Sequence, residues 1–322
     1  MADLNILITT YHEAFLNRGG GEIELNEVAY YLNQLGHRAD IYGPQSCSID
    51  KYDAVLHFSM HGGGLPLIKL IKRKGKKIIL WPNLWWTEAP TKDELSQKYE
   101  FIEYVDAIVF KSVAEKSNFS RWIDIPEEKI CIVPSGVDEC YRVPADRDMF
   151  KTIYEVDDYI LWIGIIEEIK NQLFCIEALR DIDIPVVFIG NYREKAYFNR
   201  CRELAPKHFK FLPHMPAKSE ILRSAIQNCR VYLEAPLDHP GLSALEAGLA
   251  GVPLVFSNDS WSIEHFENKA VLIDPNNKES IKSGVSCAIE KYDYNKISDE
   301  ICETHLYPSC LKPLVDVLSD KI

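Results

Sequence analysis

The chain has 322 residues, of which 47% are hydrophobic and 11% aromatic, so it is long enough for two globular domains of roughly 100 to 200 residues each. Its 36 basic and 48 acidic residues give a net charge of -12, which argues against a nucleic-acid partner bound through a broad phosphate-contacting surface. The nine cysteines form no Cys-x-x-Cys pair, which favours reduced thiols over a disulfide framework or a zinc site, and we expect no metal.

Short apolar segments alternate with helical stretches through the first half of the chain. Residues 4–9 are typical of a buried parallel strand, and apolar residues at helical spacing follow. Thr91 with Glu94, and Ser112 with Glu115, have the spacing of capping boxes, which predicts helix starts after the fourth and fifth strands. The remaining strands of this half are predicted at 38–42, 54–58, 77–81, 107–110 and 129–133.

A second series of strands and helices follows a polar segment at 138–158, which we interpret as a hinge. Strands are predicted at 159–163, 186–189, 209–212, 231–233, 254–256 and 270–273, and helices at 171–180, 194–204, 219–228, 242–250, 278–290 and 308–320. Repeated strand-helix units predict an α/β fold of two doubly wound parallel sheets. We expect domains at 1–145 and 150–305, with the segment 308–322 packing back on the first, and a ligand cleft shared by both.

The main chemical signal lies in residues 236–255, where a strand gives way to a loop and then a helix. Asp238 stands in the loop, and Glu246 lies in the first turns of the helix. The amides from Gly241 to Ser243 should point out of the helix start, where unpaired N–H groups and the helix dipole attract anions. This pattern suggests a site for a phosphorylated, hydroxyl-rich ligand. Alternatively, Ser243 and Glu246 form a capping box that only closes the helix.

Glycine-rich loops follow other strands. Gly20 and Gly21 allow a ligand close to the backbone, but the sequence is not Gly-x-Gly-x-x-Gly and lacks the expected ribose-binding acid, which disfavours a nicotinamide-dependent dehydrogenase. A tight turn is the alternative. Gly164 opens a segment that leads to Lys170, a compact cation suited to phosphate or simply a solvated side chain. Gly190 marks another strand end of the same series.

Histidine and tryptophan also occupy loop positions in the first half. His61 precedes three glycines and is interpreted as a proton acceptor, a substrate ligand or an ordinary loop residue. Trp85 belongs to a group of three indoles at residues 81–86, a composition that suits stacking on sugars as well as core packing.

Six positive charges lie within nine residues, from Lys69 to Lys77. They either surround a solvated helix C-terminus or contact an anionic membrane surface, at about 1 kcal/mol per basic residue. The N-terminus lacks a signal-peptide pattern and no apolar run reaches about 18 residues, so we expect a cytoplasmic protein, with peripheral contact to the inner face of the membrane under the second interpretation.

In their order and spacing, these motifs resemble those of the family 4 glycosyltransferases, which have the two-domain GT-B fold. The matching segments are Gly20-Gly21-Glu22, Leu35-Gly36-His37, Pro134-Ser135-Gly136-Val137-Asp138, Gly164 to Lys170, and Asp238 to Glu246. The resemblance implies a retaining transfer, without metal or other cofactor, from a nucleotide-diphosphate sugar to a hydroxyl acceptor such as a glycan or lipid-linked glycan.

The resemblance also implies roles for individual residues. Glu246 would bind the ribose, Lys170 would neutralise the diphosphate, and Asp238 would hold hydroxyls of the donor sugar. The other positions implied on the donor side are Gly20, Gly21, Gly164, Gly190, His214, Gly241, Leu242 and Ser243.

Three positions depart from the family pattern. The usual arginine after Gly164 is Ile165, so another cation such as Arg18 would have to replace it. The first acid is Asp238 instead of glutamate, and a histidine common after the fourth strand is absent, which leaves its acceptor-side role to Asn83, to His61 or to no residue. These departures keep open a catalytically weakened subunit that binds nucleotide or glycan and supports a partner. An epimerase or a phosphorylase on the same fold is a further alternative.

Overall fold

The computed structural model describes residues 3–16, 19–61, 63–291 and 295–319. The chain forms two compact units, the first made of Met1–Gly136 and Tyr307–Ile322 and the second of Val137–Leu306. The boundary therefore precedes the one predicted at 145. Residues 137–145 belong to the second unit, where Gln227 donates hydrogen bonds to the carbonyls of Tyr141 and Val143.

Each unit contains one six-stranded parallel sheet, which confirms the predicted fold class. The first sheet has the order β2-β1-β3-β4-β5-β6 and the second β12-β11-β10-β7-β8-β9. The strands are β1 (Asn5–Thr10), β2 (Arg38–Ile41), β3 (Ala54–Phe58), β4 (Lys77–Trp81), β5 (Ala107–Phe110), β6 (Ile130–Ile132), β7 (Ile160–Ile163), β8 (Val186–Ile189), β9 (Lys210–Leu212), β10 (Val231–Glu234), β11 (Leu254–Ser257) and β12 (Val271–Ile273). Short buried strands of this kind are expected where helices cover both faces of a sheet.

Helices form most of the connections, since neighbouring parallel strands need a crossover between them. They are α1 (Gly20–Gln34), α2 (Leu65–Arg73), α3 (Lys92–Tyr104), α4 (Val113–Ser120), α5 (Met149–Tyr154), α6 (Gln172–Ala178), α7 (Lys195–Leu204), α8 (Glu220–Gln227), α9 (Leu242–Ala250), α10 (Ser260–Phe266), α11 (Lys278–Lys291), α12 (Asn295–His305) and α13 (Lys312–Ser319). Within the described ranges, no helix has the length and apolarity that crossing a membrane would need.

Two of the predicted helix starts are formed as expected. The hydroxyl of Thr91 accepts a hydrogen bond from the Glu94 amide, and the Glu94 carboxylate accepts one from the Thr91 amide. The Ser112 hydroxyl likewise accepts the Glu115 amide, but the Glu115 carboxylate accepts the Lys111 amide. Capping of this kind satisfies backbone donors that have no partner inside the helix. The predicted starts of α3 and α4 are thus confirmed.

Other elements differ from the sequence-based expectation. The predicted hinge contains helix α5, because Phe150 is buried and its amide bonds the Ser224 hydroxyl of α8. The predicted helix at 308–320 begins with a tight 3-10 turn, and its regular part is α13. Leu314 and Val315 of α13 are buried against the first sheet's core, so this segment does pack on the first unit.

Candidate functional site

The second unit has a topological switch point, where chain connections leave in opposite directions from two adjacent strands. It lies between β7 and β10, which pair through Val231 with Ile160 and Tyr232 with Leu161. Open parallel sheets bind ligands outside the carboxyl ends of the strands at such a point. The Gly164 loop follows β7 and the Asp238 loop follows β10. The fold therefore brings together the two segments that carry most of the predicted donor-site residues.

Lys170 and Asp238 form an ion pair at this place. Lys170 ends a short 3-10 turn, and its Nζ lies 2.6 Å from Oδ2 of Asp238 and 3.4 Å from the His239 carbonyl. The two side chains are 23% and 19% exposed. Oδ1 of Asp238 is buried and has no hydrogen-bond partner. A buried acceptor without a donor is unusual in a folded protein, and it is available to a ligand hydroxyl.

Helix α9 begins differently from the predicted capping box. Gly241 is the N-cap residue, without a side-chain cap, and the first helical bond runs from the Ala244 amide to the Gly241 carbonyl. The Ser243 hydroxyl lies 2.6 Å from Oε1 of Glu234 instead of capping the helix. The amides of Leu242 and Ser243 precede the first helical bond, so they have no acceptor inside the helix.

Glu234 also changes the expectation for Gly241. The Gly241 amide donates to Oε2 of Glu234 at 2.9 Å, so this predicted diphosphate ligand already has an internal carboxylate as its partner. Sequence analysis missed Glu234 and its neighbour Tyr232. The available signal was an acid that ends an otherwise apolar strand, four residues before Asp238.

Glu246 lies in the second turn of α9, half-buried, and hydrogen bonds to the hydroxyl of Tyr141. Burial first, and then the charge of Glu246, raise the pKa of Tyr141 far above its ordinary value. Tyr141 also accepts a hydrogen bond from the Lys218 amide at 3.1 Å. A neutral tyrosine donor thus holds the Glu246 carboxylate in place.

Two glycines at the ends of β7 and β8 touch each other. Gly164 has a φ of 156°, and a Cβ atom on Gly190 would lie 1.9 Å from the Gly164 carbonyl oxygen. Only glycine fits at position 190, since any side chain would displace this backbone. His214, predicted on the nucleotide side, is exposed in the loop after β9.

The first unit carries the remaining predicted donor-side and acceptor-side residues. Gly20 and Gly21 form the first turn of α1. A Cβ on Gly21 would lie 2.9 Å from the Asn83 side-chain nitrogen, so the structure brings these two predicted residues together. Oδ1 of Asn83 accepts a hydrogen bond of 2.7 Å from Lys111 Nζ, which also lies 3.0 Å from Oε2 of Glu24. Sequence analysis did not single out Lys111 or Glu24.

The other acceptor-side candidates are not brought into this group by the described contacts. His61 is exposed in the loop after β3, and Trp85 is partly buried. Arg18 lies outside the described residues. His57 of β3 is fully buried, and its Nδ1 lies 2.8 Å from the Thr9 hydroxyl.

The basic segment from Lys69 to Lys77 spans the end of α2 and the start of β4. Four of its six cations bond within the unit: Lys69 to Glu100, Lys72 to Asp106, Lys76 to the Tyr52 carbonyl and Lys77 to the Val317 carbonyl. Arg73 and Lys74 are exposed. The charge that this surface presents to water is therefore smaller than the sequence suggests.

Comparison with known proteins assigns the chemical class. Residues 146–301 match the family described as glycosyl transferases group 1, which covers nearly all of the second unit. No curated protein sequence matches the chain. The family match makes this part of the chain a glycosyltransferase domain, and the protein is a glycosyltransferase.

Solved structures of similar fold span the whole chain. Alr3699/HepE from Anabaena, in complex with UDP, is 15% identical with a TM-score of 0.76, covering 98% of this chain and 100% of that one. Sucrose-phosphate synthase from Thermosynechococcus elongatus is 11% identical, with a TM-score of 0.76 and coverage of 97% and 98%. Trehalose-6-phosphate synthase OtsA is 12% identical, with a TM-score of 0.74 and coverage of 99% of each chain. At these identities the similarity establishes the fold, which is GT-B.

Proposed function

We propose that this protein is a retaining, metal-independent glycosyltransferase that moves a sugar from a nucleoside-diphosphate sugar to a hydroxyl acceptor, either a glycan or a lipid-linked glycan. The observation that most directly supports this proposal is the ion pair of Lys170 and Asp238. It lies beside the start of α9 and leaves Oδ1 of Asp238 without a hydrogen-bond partner. A UDP-sugar is the first donor to test, because the structure of the HepE neighbour contains UDP.

Donor binding would exchange the partners of this pair. The Lys170 ammonium would turn from Asp238 to the diphosphate, and the Asp238 carboxylate would accept hydrogen bonds from the sugar hydroxyls. The free amides of Leu242 and Ser243, with the positive end of the α9 dipole, would receive the same phosphates. Lysine and helix together supply positive charge for the leaving group, which is the basis for proposing metal independence.

Glu246 completes the proposed donor site. Its carboxylate, held by Tyr141, would accept hydrogen bonds from the two ribose hydroxyls of the nucleotide. Gly164 and Gly190 would let the nucleotide approach the backbone at the ends of β7 and β8.

The proposal is tested by assaying transfer and donor hydrolysis with UDP-, GDP- and ADP-sugars, with and without EDTA. We expect turnover with one of these donors that EDTA does not abolish, and a product of unchanged anomeric configuration by NMR. Lys170→Ala and Glu246→Gln should both impair turnover, while Lys151→Ala, which removes an exposed ion pair with Asp157, should not. Full activity of both site variants would refute the assignment.

Ile165 favours one second candidate, a subunit that binds nucleotide or glycan but turns it over poorly. An apolar side chain stands where the resembling family has an arginine, and losing one charge-stabilising donor can reduce a rate by roughly 10² to 10³. Calorimetry that shows nucleotide binding, together with no turnover on any acceptor pool, would support this candidate over the first.

For a lipid-linked acceptor we further propose peripheral membrane contact through the outer face of α2. Leu70 is 53% exposed there, and Arg73 and Lys74 are exposed beside it. Flotation with vesicles of anionic lipid should recover the protein, and Arg73→Glu with Lys74→Glu should abolish recovery. No flotation of the unaltered protein would rule out this contact.

A further inference from the structure

A buried carboxylate lies directly behind the start of α9. Glu234 is the last residue of β10 and is 4% exposed. Its Oε2 accepts the Gly241 amide at 2.9 Å, and its Oε1 lies 2.6 Å from the Ser243 hydroxyl and also contacts the Tyr232 hydroxyl. A charged residue with this burial needs several partners, and Glu234 has three.

Ser243 links Glu234 to the end of β7. Its hydroxyl donates to Oε1 of Glu234 at 2.6 Å and also lies 3.2 Å from the Ile163 carbonyl. A hydroxyl has one proton to donate, so the shorter contact with Glu234 is the stronger of the two. The Glu234 side chain therefore connects the end of β7, the loop before α9 and the first turn of α9.

The groups around Glu234 act on its pKa in both directions. Burial is the largest influence and raises the pKa, while the hydrogen bonds from Ser243, Tyr232 and the Gly241 amide, and then the charge of Lys170, lower it. These hydrogen bonds hold the side chain in place.

We propose that Glu234 is a positioning residue of the donor site, whose side chain holds the α9 start and the end of β7 together so that their backbone receives the diphosphate. Loss of its hydrogen bonds then weakens donor binding. This inference rests on the proposed function, since it concerns the same site.

The experiment measures the affinity for UDP by calorimetry. Glu234→Ala should bind UDP about tenfold more weakly than the unaltered protein, since the Gly241 amide and Ser243 lose their partner. Glu234→Gln keeps an acceptor for the Gly241 amide and a polar partner for Ser243, so it should restore most of the lost affinity.

Two further variants separate positioning from a general loss of stability. Ser243→Ala removes the link to Ile163 and should weaken UDP binding even if Glu234→Ala does not fold. Glu115→Gln changes a carboxylate of the first unit that is equally buried, and it should leave UDP affinity unchanged.

The results distinguish this inference from the proposed function. If the unaltered protein binds none of UDP, GDP and ADP, the proposed function fails. If it binds UDP, but Glu234→Ala and Ser243→Ala bind it normally or Glu234→Gln binds it as weakly as Glu234→Ala, only the role of Glu234 is overturned.

Discussion

The two units each place a lysine and a carboxylate near the carboxyl ends of a parallel sheet, but the two pairs differ in exposure. In the first unit, Lys111 is 15% exposed and Glu24 only 1%. Asn83 accepts a bond from Lys111, and Ser135 donates to the second oxygen of Glu24 at 2.7 Å. In the second unit, Lys170 and Asp238 are more exposed, and one carboxylate oxygen has no partner.

This difference distinguishes a structural ion pair from the pair that we propose binds a ligand. A buried pair whose oxygens are all satisfied gains rigidity from its network and has nothing to offer a substrate. A pair with an unsatisfied acceptor can exchange partners when a ligand supplies phosphates and hydroxyls. Both pairs join a lysine to a carboxylate, and the hydrogen bonds around each pair distinguish the two.

The largest expected effect is on the buried ion pair of Lys111 and Glu24. Lys111→Ala leaves the Glu24 carboxylate buried without its cation, which should lower the free energy of unfolding by about 3 to 5 kcal/mol. Urea unfolding measures this value. The control is Lys116→Ala, which removes an ion pair with the well-exposed Glu127 and should change the free energy by no more than about 1 kcal/mol. Equal effects of the two variants would erase the distinction between the pairs.

Lys170→Ala should reduce turnover more than stability, the reverse of the expectation for Lys111→Ala. Because its proposed role is to balance charge on the leaving diphosphate, we expect turnover to fall by roughly 10² to 10³ with little change in the unfolding midpoint. Steady-state kinetics and thermal unfolding of the same preparation check both parts. A large loss of stability with normal turnover would make Lys170 a structural residue like Lys111.

His57 tests how well the core of the first unit is shielded from water. Burial lowers the pKa of His57 from 6.5 to about 4, so the unfolded chain takes up a proton before the folded one does. Stability should therefore be lost as pH falls from about 6.5 towards about 4, by up to about 3 kcal/mol from this residue. Urea unfolding across this range should show a weaker pH dependence for His57→Gln, and no change for His12→Gln, which alters an exposed histidine.

The smallest effect concerns one glycine of each unit, Gly190 after β8 and Gly20 at the start of α1. Gly190→Ala puts a Cβ against the Gly164 carbonyl, which should lower stability by about 1 to 3 kcal/mol and weaken UDP binding. Gly20→Ala meets no atom within 4 Å and lies in a helix, so it should be neutral or stabilising by up to about 1 kcal/mol. Thermal unfolding and calorimetry of both variants provide the comparison. Equal losses at the two positions would contradict the contact between Gly164 and Gly190.

Much of the fold could be predicted because its signals are local. Apolar runs of four to six residues mark most strands, and the caps at Thr91 and Ser112 mark two helix starts. Helix α5 was missed because its burial depends on contacts with α8, more than 70 residues away in sequence. The helix start at Gly241 was misjudged for a similar reason: Ser243 has the spacing of a cap, but a carboxylate from β10 competes for its hydroxyl.

The sequence by itself determined the alternation of strands and helices and the motif positions from Gly164 to Glu246, because periodicity and turn chemistry act over a few residues. Only the tertiary structure decided the partners: Lys170 with Asp238, Glu246 with Tyr141, and Glu234 with the start of α9. The physical reason is the strand order. Placing β7 beside β10 joins segments that lie 68 residues apart, and burial then determines which charges are satisfied and which remain available to a ligand.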